Sequence, residues 1–278
     1  MSPARNDPRS GSAISTMMAV LRCFDSEHRH LGVVEIAEQT GLHKSSVSRL
    51  MSTLELERLV ERDPVTRRYS LGLGLLSVAG TLLADLDVRR TAYPVLVELE
   101  ARTHESSSLM VWSEDQALCV EQVPSSRTIK HTTAIGTVYR TTASSSVLAL
   151  LAHRPPRAVD EMLGRGLLRL QGHGSPAEVH ATLEQVRRDG VFVNDGLTDP
   201  AEVGVSAPVL DHRGETVAAV LVAAPRYRVD QAALATLVDD CLWAAQAVSA
   251  ALGYRREGHD GVGDTVQETE TAAPLGAG

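Results

Sequence analysis

At 278 residues the chain is long enough for two domains, and with 43% hydrophobic and 22% charged residues it is neither fibrous nor wholly disordered. The net charge of −8 argues against a general nucleic-acid binder, but residues 1–72 hold ten Arg/Lys against nine Asp/Glu, a balance of +1, which leaves −9 for residues 73–278 and puts any DNA contact in the N-terminal part. No apolar run reaches the ~18 residues of a membrane span, and Met1–Ser12 lacks the apolar stretch of a secretory signal, so a cytoplasmic protein with no membrane partner is expected.

Residues 1–12 carry no periodic pattern and are expected to form a disordered arm, with Arg5 and Arg9 its only groups suited to a minor groove. From Ile14 the positions Ile14, Met17, Met18, Leu21 and Phe24 make the apolar stripe of an amphipathic helix. A short second helix fits Val34–Thr40, with Ile36 and Ala37 inward and Gly41 ending it in the left-handed conformation. A third, Lys44–Glu57, buries Val47, Leu50, Met51 and Leu54. Its other face carries Lys44, Ser45, Ser46, Ser48, Arg49 and Ser52: short hydroxyls that permit close approach, and two cations that reach phosphates or guanine edges. Two helices joined by a tight Gly-containing turn, the second offering its N-terminal residues outward, form a helix-turn-helix. A plain three-helix bundle with a solvated face has the same periodicity, and the next segment separates the two. Leu59–Arg62 and Arg68–Leu71 alternate as strands around Asp63-Pro64-Val65-Thr66, a turn sequence, which makes a hairpin directly after the recognition helix. That is a wing, and Arg62, Arg67 and Arg68 on it are placed for phosphate or minor-groove contact, or else are solvated hairpin charges.

Leu73, Leu75, Leu76, Val78, Leu82, Leu83 and Leu86 predict a linker helix over 73–90 that is apolar around much of its circumference. Burial within the same chain would cover part of it; pairing with a second chain is the preferred reading, because two reading heads on two half-sites raise affinity. Residues 91–255 then read as one α+β domain: a helix marked by Ala92, Val95, Leu96 and Leu99, a hairpin of Ser107–Trp112 and Ala117–Val123 with Glu114-Asp115 at its tip, a helix opened by the capping box Ser175-Pro176-Ala177-Glu178 and closed by Gly190, strands Val203–Leu210 and Glu215–Ala224, and a final helix Gln231–Leu252. Strands with segregated helices suit an antiparallel sheet that leaves one face to line a pocket. Residues 256–278 are rich in Gly, Thr, Asp and Glu and are expected to be a disordered tail.

The string VVEIAEQTGLHKSSVSRLMSTLELERLVERDPVTRRYSLG (Val33–Gly72) resembles the DNA-binding domain of the IclR family of bacterial transcriptional regulators. The similarity continues through YPVLVELEARTHESSSLMVW, TTASSSVLALLA, VRRDGVFVNDG and VSAPVLDHRGETVAAVLVAAP, so that it spans roughly residues 14–254. The resemblance implies a winged helix-turn-helix and a GAF-like effector-binding domain, in a dimer or dimer of dimers that binds double-stranded, (pseudo)palindromic operator DNA and answers to a small organic effector. Repressors and activators both belong to the family; a repressor is the expectation here. In the recognition helix the matching positions are Lys44, Ser45, Ser46, Ser48 and Arg49, and His43 stands where the family usually has Pro. For the effector pocket they are Ile135, Gly136, Asn194, Asp195, Gly204, Leu221 and Ala223, with Ser145-Ser146 in place of the family's Gly-Lys, Gly204 where Cys is frequent, and Leu221 and Ala223 where sensors of small acids have Ser. Each lost hydrogen bond to a charge is worth roughly 1.5–3 kcal/mol, so a larger, more apolar ligand is expected. Arg140 beside this segment could pair with a ligand carboxylate, although a structural salt bridge is the commoner use of a lone Arg.

Against an enzyme, the chain has no HExxH, no GxSxG, no Walker lysine and no GxGxxG after a strand. The Gly172-His173-Gly174 segment reads as a flexible loop with a solvated imidazole, and His173 and His180 straddle the capping box instead of forming a metal pair. Ser144-Ser145-Ser146 lacks a base at a useful spacing and reads as a helix N-cap. Cys23, Cys119 and Cys241 are scattered and read as small buried apolar residues. No cofactor and no metal is expected. The rival functions are a sensor acting through protein partners and a metabolic enzyme with an incidental helical appendage; neither would need Lys44 or Arg49.

Overall fold

The computed structural model describes residues 13–25, 28–85 and 87–255; the expected arm and tail lie outside them. The first unit is α1 (Ala13–Leu21), α2 (Val33–Thr40), α3 (Lys44–Leu56) and the hairpin β1 (Val60–Arg62) and β2 (Tyr69–Leu71). Gly41 ends α2 at φ +70°, which lets α3 begin three residues later. Val20, Ile36, Val47, Met51, Leu54, Val60 and Tyr69 fill its core; Leu50 is only half-buried, and Phe24 is buried beyond the end of α1. The wing is fixed by a third strand-like contact: the Leu31 N–H donates to the Tyr69 carbonyl at 2.9 Å and the Tyr69 N–H to the Leu31 carbonyl at 2.8 Å. At its tip the Asp63 carboxylate accepts from the N–H groups of Val65 and Thr66, the side-chain turn that Asp before Pro favours.

The chain leaves this unit through Gly72-Leu73-Gly74. A Cβ on either glycine would meet the Arg58 carbonyl oxygen at 2.4 Å, and that oxygen accepts the Gly74 N–H at 3.0 Å. Helix α4 (Gly74–Asp85) follows, and Leu73 just before it and Leu76 and Val78 on it are exposed by 71%, 59% and 77%, an apolar surface left open among the described residues. Helix α5 (Asp87–Thr103) starts at once, ahead of the expected domain start at residue 91.

The second unit is built on a six-stranded antiparallel sheet of order β5-β4-β3-β8-β7-β6: β3 (Ser106–Ser113), β4 (Gln116–Val123), β5 (Val138–Tyr139), β6 (Phe192–Asp195), β7 (Glu202–Leu210) and β8 (Thr216–Pro225). Period-two alternation sends Val203, Val205, Ala207 and Val209 of β7 and Ala218, Val220, Val222 and Ala224 of β8 to one face, against α5 and α9 (Gln231–Ala251). The opposite face meets α6 (Ser145–Leu151), backed by α7 (Pro156–Gly164) and α8 (Pro176–Asp189). Helix α8 carries its expected caps, with the Ser175 hydroxyl accepting from the Glu178 N–H at 3.3 Å and Gly190 at φ +74°. Two arginine clamps close the edges. Arg102 binds Asp240 through two nitrogens and stacks 4.1 Å above the Trp243 ring, joining α5 to α9. Arg228 makes a bidentate pair at 2.6 and 2.7 Å with Glu105, a carboxylate 4% exposed.

Two local expectations are corrected. Ser144 stands at the N-cap position of α6, but its hydroxyl lies 3.0 Å from that of Ser146 and makes no cap bond. The His173 ring is held between the Gln171 carbonyl and the Thr182 hydroxyl, at 3.3 and 3.1 Å, so it is not simply solvated. His180 turns instead to Asp160 at 2.7 Å. The burial expected of the three cysteines is observed for all of them.

The Gly72 contact yields a direct test. Gly72→Ala forces a Cβ onto a backbone oxygen that cannot move aside, and is expected to destabilise the first unit by about 1–3 kcal/mol in urea unfolding followed by circular dichroism. An unchanged midpoint would contradict the close approach.

Candidate DNA-reading head and effector cleft

On α3 the side chains of Lys44, Ser45, Ser46, Ser48 and Arg49 are all exposed on the face opposite Val47, Met51 and Leu54. The helix starts on His43, whose Nδ1 accepts the Ser45 N–H at 3.3 Å and lies 2.8 Å from the Ser45 hydroxyl. His43 thus caps the helix, and Ser45 is partly spoken for. The three wing arginines divide. Arg68 is committed: its Nη2 lies 2.6 and 2.7 Å from the two Glu35 oxygens and its Nε donates to the His30 carbonyl at 3.0 Å. Glu35 in turn accepts the Gly32 N–H at the start of α2, and this bond first, then Arg68, holds its carboxyl below the usual range. Arg62 lies 5.3 Å over the Tyr69 ring with its Nε buried and unpaired. Arg67, at φ +61° on the wing tip, is exposed. Of the expected wing contacts, only Arg67 points freely to solvent among these three. Arg62 lies against its cross-strand neighbour in the hairpin, whereas the partner of Arg68, Glu35, is 33 positions away and invisible to local pattern.

In the second unit, two rows of side chains cross the sheet face that meets α6. The ladder pairs Asn194 with Gly204, Gly204 with Ala223 and Ala223 with Ser106. The next row runs Phe192, Ser206, Leu221, Ser108, Gln122. Asn194, Gly204, Leu221 and Ala223 are therefore brought together, as the resemblance implied. Asn194 is already used, accepting from the Leu197 N–H and donating to the Thr198 hydroxyl. The others of that set are not at this floor: Asp195 pairs with Arg226 at 2.7 Å, Ile135 is 54% exposed, and Gly136 sits in a turn at φ +92°. Arg140 donates to the Gln116 side chain at 2.8 Å and lies 3.6 Å from Asp115.

Buried hydroxyls stand on this floor beside Leu221 and Ala223. Ser106, Ser108, Ser145 and Ser206 are all at least 97% buried there, and the Ser145 and Ser206 hydroxyls are 3.1 Å apart. The hydroxyls absent from 221 and 223 are supplied by neighbouring strands. Glu202, 7% exposed, reaches the same place: its Oε1 is 3.7 Å from where a Gly204 Cβ would stand, beside the Ser145 hydroxyl and Leu221. His131 lies against it, Nε2 to Oε2 2.9 Å, and this hydrogen bond raises the imidazole pKa above its ordinary 6.5 despite partial burial. Burial pushes the Cys119 thiol, which donates toward the Thr133 carbonyl, up to about 12, so it stays protonated. Sequence reading missed Ser106, Ser108, Gln122, His131, Thr133, Glu202 and Ser206. The available signal was Ser106-Ser107-Ser108 at the start of a strand otherwise expected to be buried.

Two family models match the chain: the "IclR helix-turn-helix domain" over residues 14–64 and "Bacterial transcriptional regulator IclR C-terminal" over residues 80–250. The chain belongs to the IclR family. Among IclR-family relatives, the HTH-type transcriptional regulator KipR of Bacillus subtilis is 28% identical over 241 residues, 85% of this chain and 95% of its own. The glycerol operon regulatory protein of Streptomyces griseus is 28% identical over 257 residues, 89% of this chain and 99% of its own. A solved IclR homologue from Microbacterium hydrocarbonoxydans, complexed with 4-hydroxybenzoate, shares the fold with a TM-score of 0.71 at 22% identity, over 87% of this chain and 99% of that one. This IclR chain is accordingly a DNA-binding transcriptional regulator with an effector-binding second domain.

Two outcomes follow from the geometry. Arg68→Ala and Glu35→Ala should each lower the melting temperature of the head, and the double variant should lower it little further, because both remove one contact; full additivity would show the pair to be idle. Arg67→Ala should leave that melting temperature unchanged. For His131, the charged form is favoured in the folded state, so its stabilisation is complete below about pH 6.5 and is lost as pH rises through the raised pKa. The melting-temperature advantage of the native chain over His131→Gln should therefore shrink from acid to alkaline buffer; a gap that grows with pH would reverse the assignment.

Proposed function

We propose that this regulator is a cytoplasmic homodimeric repressor, in which residues 13–72 read the operator, 73–90 link and dimerise, and 91–255 bind a small organic effector that changes operator affinity. The observation that carries this reading is the outward face of α3, Lys44 to Arg49, with Arg67 beyond it on the wing. An α-helix presenting short hydroxyls and two cations fits the major groove, and the exposed wing cation suits phosphate. The apolar surface of Leu73, Leu76 and Val78 supports pairing of two chains, and paired heads favour a two-fold-symmetric operator. The 4-hydroxybenzoate held by the Microbacterium relative supports a small organic effector. Catalysis is no part of this reading: burial keeps Cys119 a thiol, and the Ser144 and Ser146 hydroxyls lie 3.0 Å from each other.

The test is fluorescence anisotropy with the intergenic DNA upstream of the gene, at fixed salt. Arg49→Ala is expected to weaken binding by about 1–3 kcal/mol, with two chains bound per operator, while the melting temperature is unchanged. Unaltered affinity would sink the assignment of α3 as the reading helix.

A further inference from the structure

A cleft of about 700 Å³ opens where the head meets the second unit. Arg22 lines it from the head: it follows α1, its N–H donates to the Met18 carbonyl at 3.0 Å, and the buried Cys23 and Phe24 anchor the segment beyond it. Asp115 and Gln116 line it from the tip of the β3–β4 hairpin, and Val138 and Arg140 from the edge strand β5 and the residue after it. Tyr139, between those two, packs into the cluster on the α6 side of the sheet, so period-two alternation turns Val138 and Arg140 away from that side. The cleft is therefore separate from the floor beneath α6. Leu167 and Arg169 supply its third wall. That wall is pinned to β5 by the Arg169 N–H, which donates to the Arg140 carbonyl at 2.8 Å, while the Arg169 carbonyl accepts the Thr142 N–H at 3.0 Å.

Three arginines and one carboxylate line this space, a balance of +2 in a chain whose net charge is −8. Elsewhere in the second unit the arginines are held: Arg102 by Asp240, Arg228 by Glu105, Arg226 by Asp195, and Arg165, close to this cleft in the chain, by Glu161. Among the described residues the side chains of Arg22 and Arg169 have no hydrogen bond or ion pair. Arg140 spends its Nε on Gln116, and its Nη2 lies 3.6 Å from Asp115, too far for a hydrogen bond. A single exposed arginine needs no partner, but three around one cleft repel one another, and the backbone keeps them there. Guanidinium groups donate and accept nothing, so their complement is rich in acceptors, and a balance of +2 is met by two negative charges. A cation is repelled, and a neutral molecule leaves the repulsion in place. Val138 and Leu167 offer only a small apolar contact, which suits a short carbon skeleton. We propose that this cleft binds a small organic dianion, a phosphate monoester or a short dicarboxylate, which bridges Arg22 of the head to Arg140 and Arg169 of the second unit. The bound dianion joins the two units by a route that does not pass through Gly72-Leu73-Gly74.

The experiment is isothermal titration calorimetry on the full chain at low salt with two pairs of probes: ribose 5-phosphate with ribose, and succinate with its monomethyl ester. At least one dianion should bind at least about tenfold more tightly than its partner, and the pair that does so tells phosphate from dicarboxylate. Arg22→Ala and Arg169→Ala, one on each side of the cleft, should each weaken that dianion by about tenfold. Neither should move the melting temperature of the free protein, because neither side chain has a partner to lose. Asp115→Asn, which removes the one negative charge of the lining, should tighten binding. Raising the salt from about 0.05 M to about 0.5 M should loosen it. A loss confined to one of the two arginine variants overturns the bridge. No preference for either dianion, or a preference that survives both variants, overturns the site itself. Neither result bears on operator reading by α3, which the Arg49→Ala titration tests separately.

Discussion

The effector domain depends on one constraint, the burial of β7 and β8 on both faces. A strand in that position cannot hide a register error, because a shift of one residue exchanges every side chain between faces. In β7 the odd positions are Val, Val, Ala and Val, and in β8 the even positions are Ala, Val, Val and Ala, so one face packs evenly against α5 and α9. The complementary positions then have to face α6, and they include Gly204, Ser206 and Leu221. An apolar face and a mixed face that carries polar groups are thus written into the same two strands. Moving the polar set to the helix side would bury hydroxyls with nothing to bond, at a cost that a domain of marginal stability does not sustain.

The same economy governs the head. A hairpin of three-residue strands has little stability of its own. Here it is held by the Leu31–Tyr69 backbone pair and by the chain of contacts from Gly32 through Glu35 to Arg68. One of the wing arginines, Arg68, is engaged in that chain of contacts. These contacts set where the exposed Arg67 at its tip stands.

Local spacing makes much of this architecture legible in the sequence. The three helices of the head, its wing, the capping box at Ser175 and the parity of the last strands all follow from it, because each depends on residues within a few positions of one another. The cleft is legible only in part. Gly204, Leu221 and Ala223 align to a family, and their loss of hydroxyls suggests an apolar pocket. The neighbours of these residues come from far along the chain: Ser106 and Ser108 reach this floor by pairing with Ala223 and Leu221, more than a hundred positions away, and His131 by meeting Glu202. Periodicity gives the face on which a side chain lies, but not who stands beside it. Arg68 and Arg140 show the same limit, since a charge on an exposed element looks free until partners such as Glu35 and Gln116, 33 and 24 positions away, are known.

The junction at Gly72-Leu73-Gly74 has a mechanical meaning. Neither glycine leaves room for a Cβ beside the Arg58 carbonyl, the Gly74 N–H bonds to that carbonyl, and the Gly72 N–H bonds to the Leu59 carbonyl. The segment that would serve as a loose tether in many two-part proteins is here a welded elbow, continuous with the wing on one side and with α4 on the other. A twist applied to α4 is therefore delivered to the wing as rotation of a solid piece, with no slack to absorb it. In a pair of such chains, the pitch between the two reading helices would be set at the linker like the opening of a caliper, and an effector would need to turn the linker by only a small angle to spoil the fit on two half-sites.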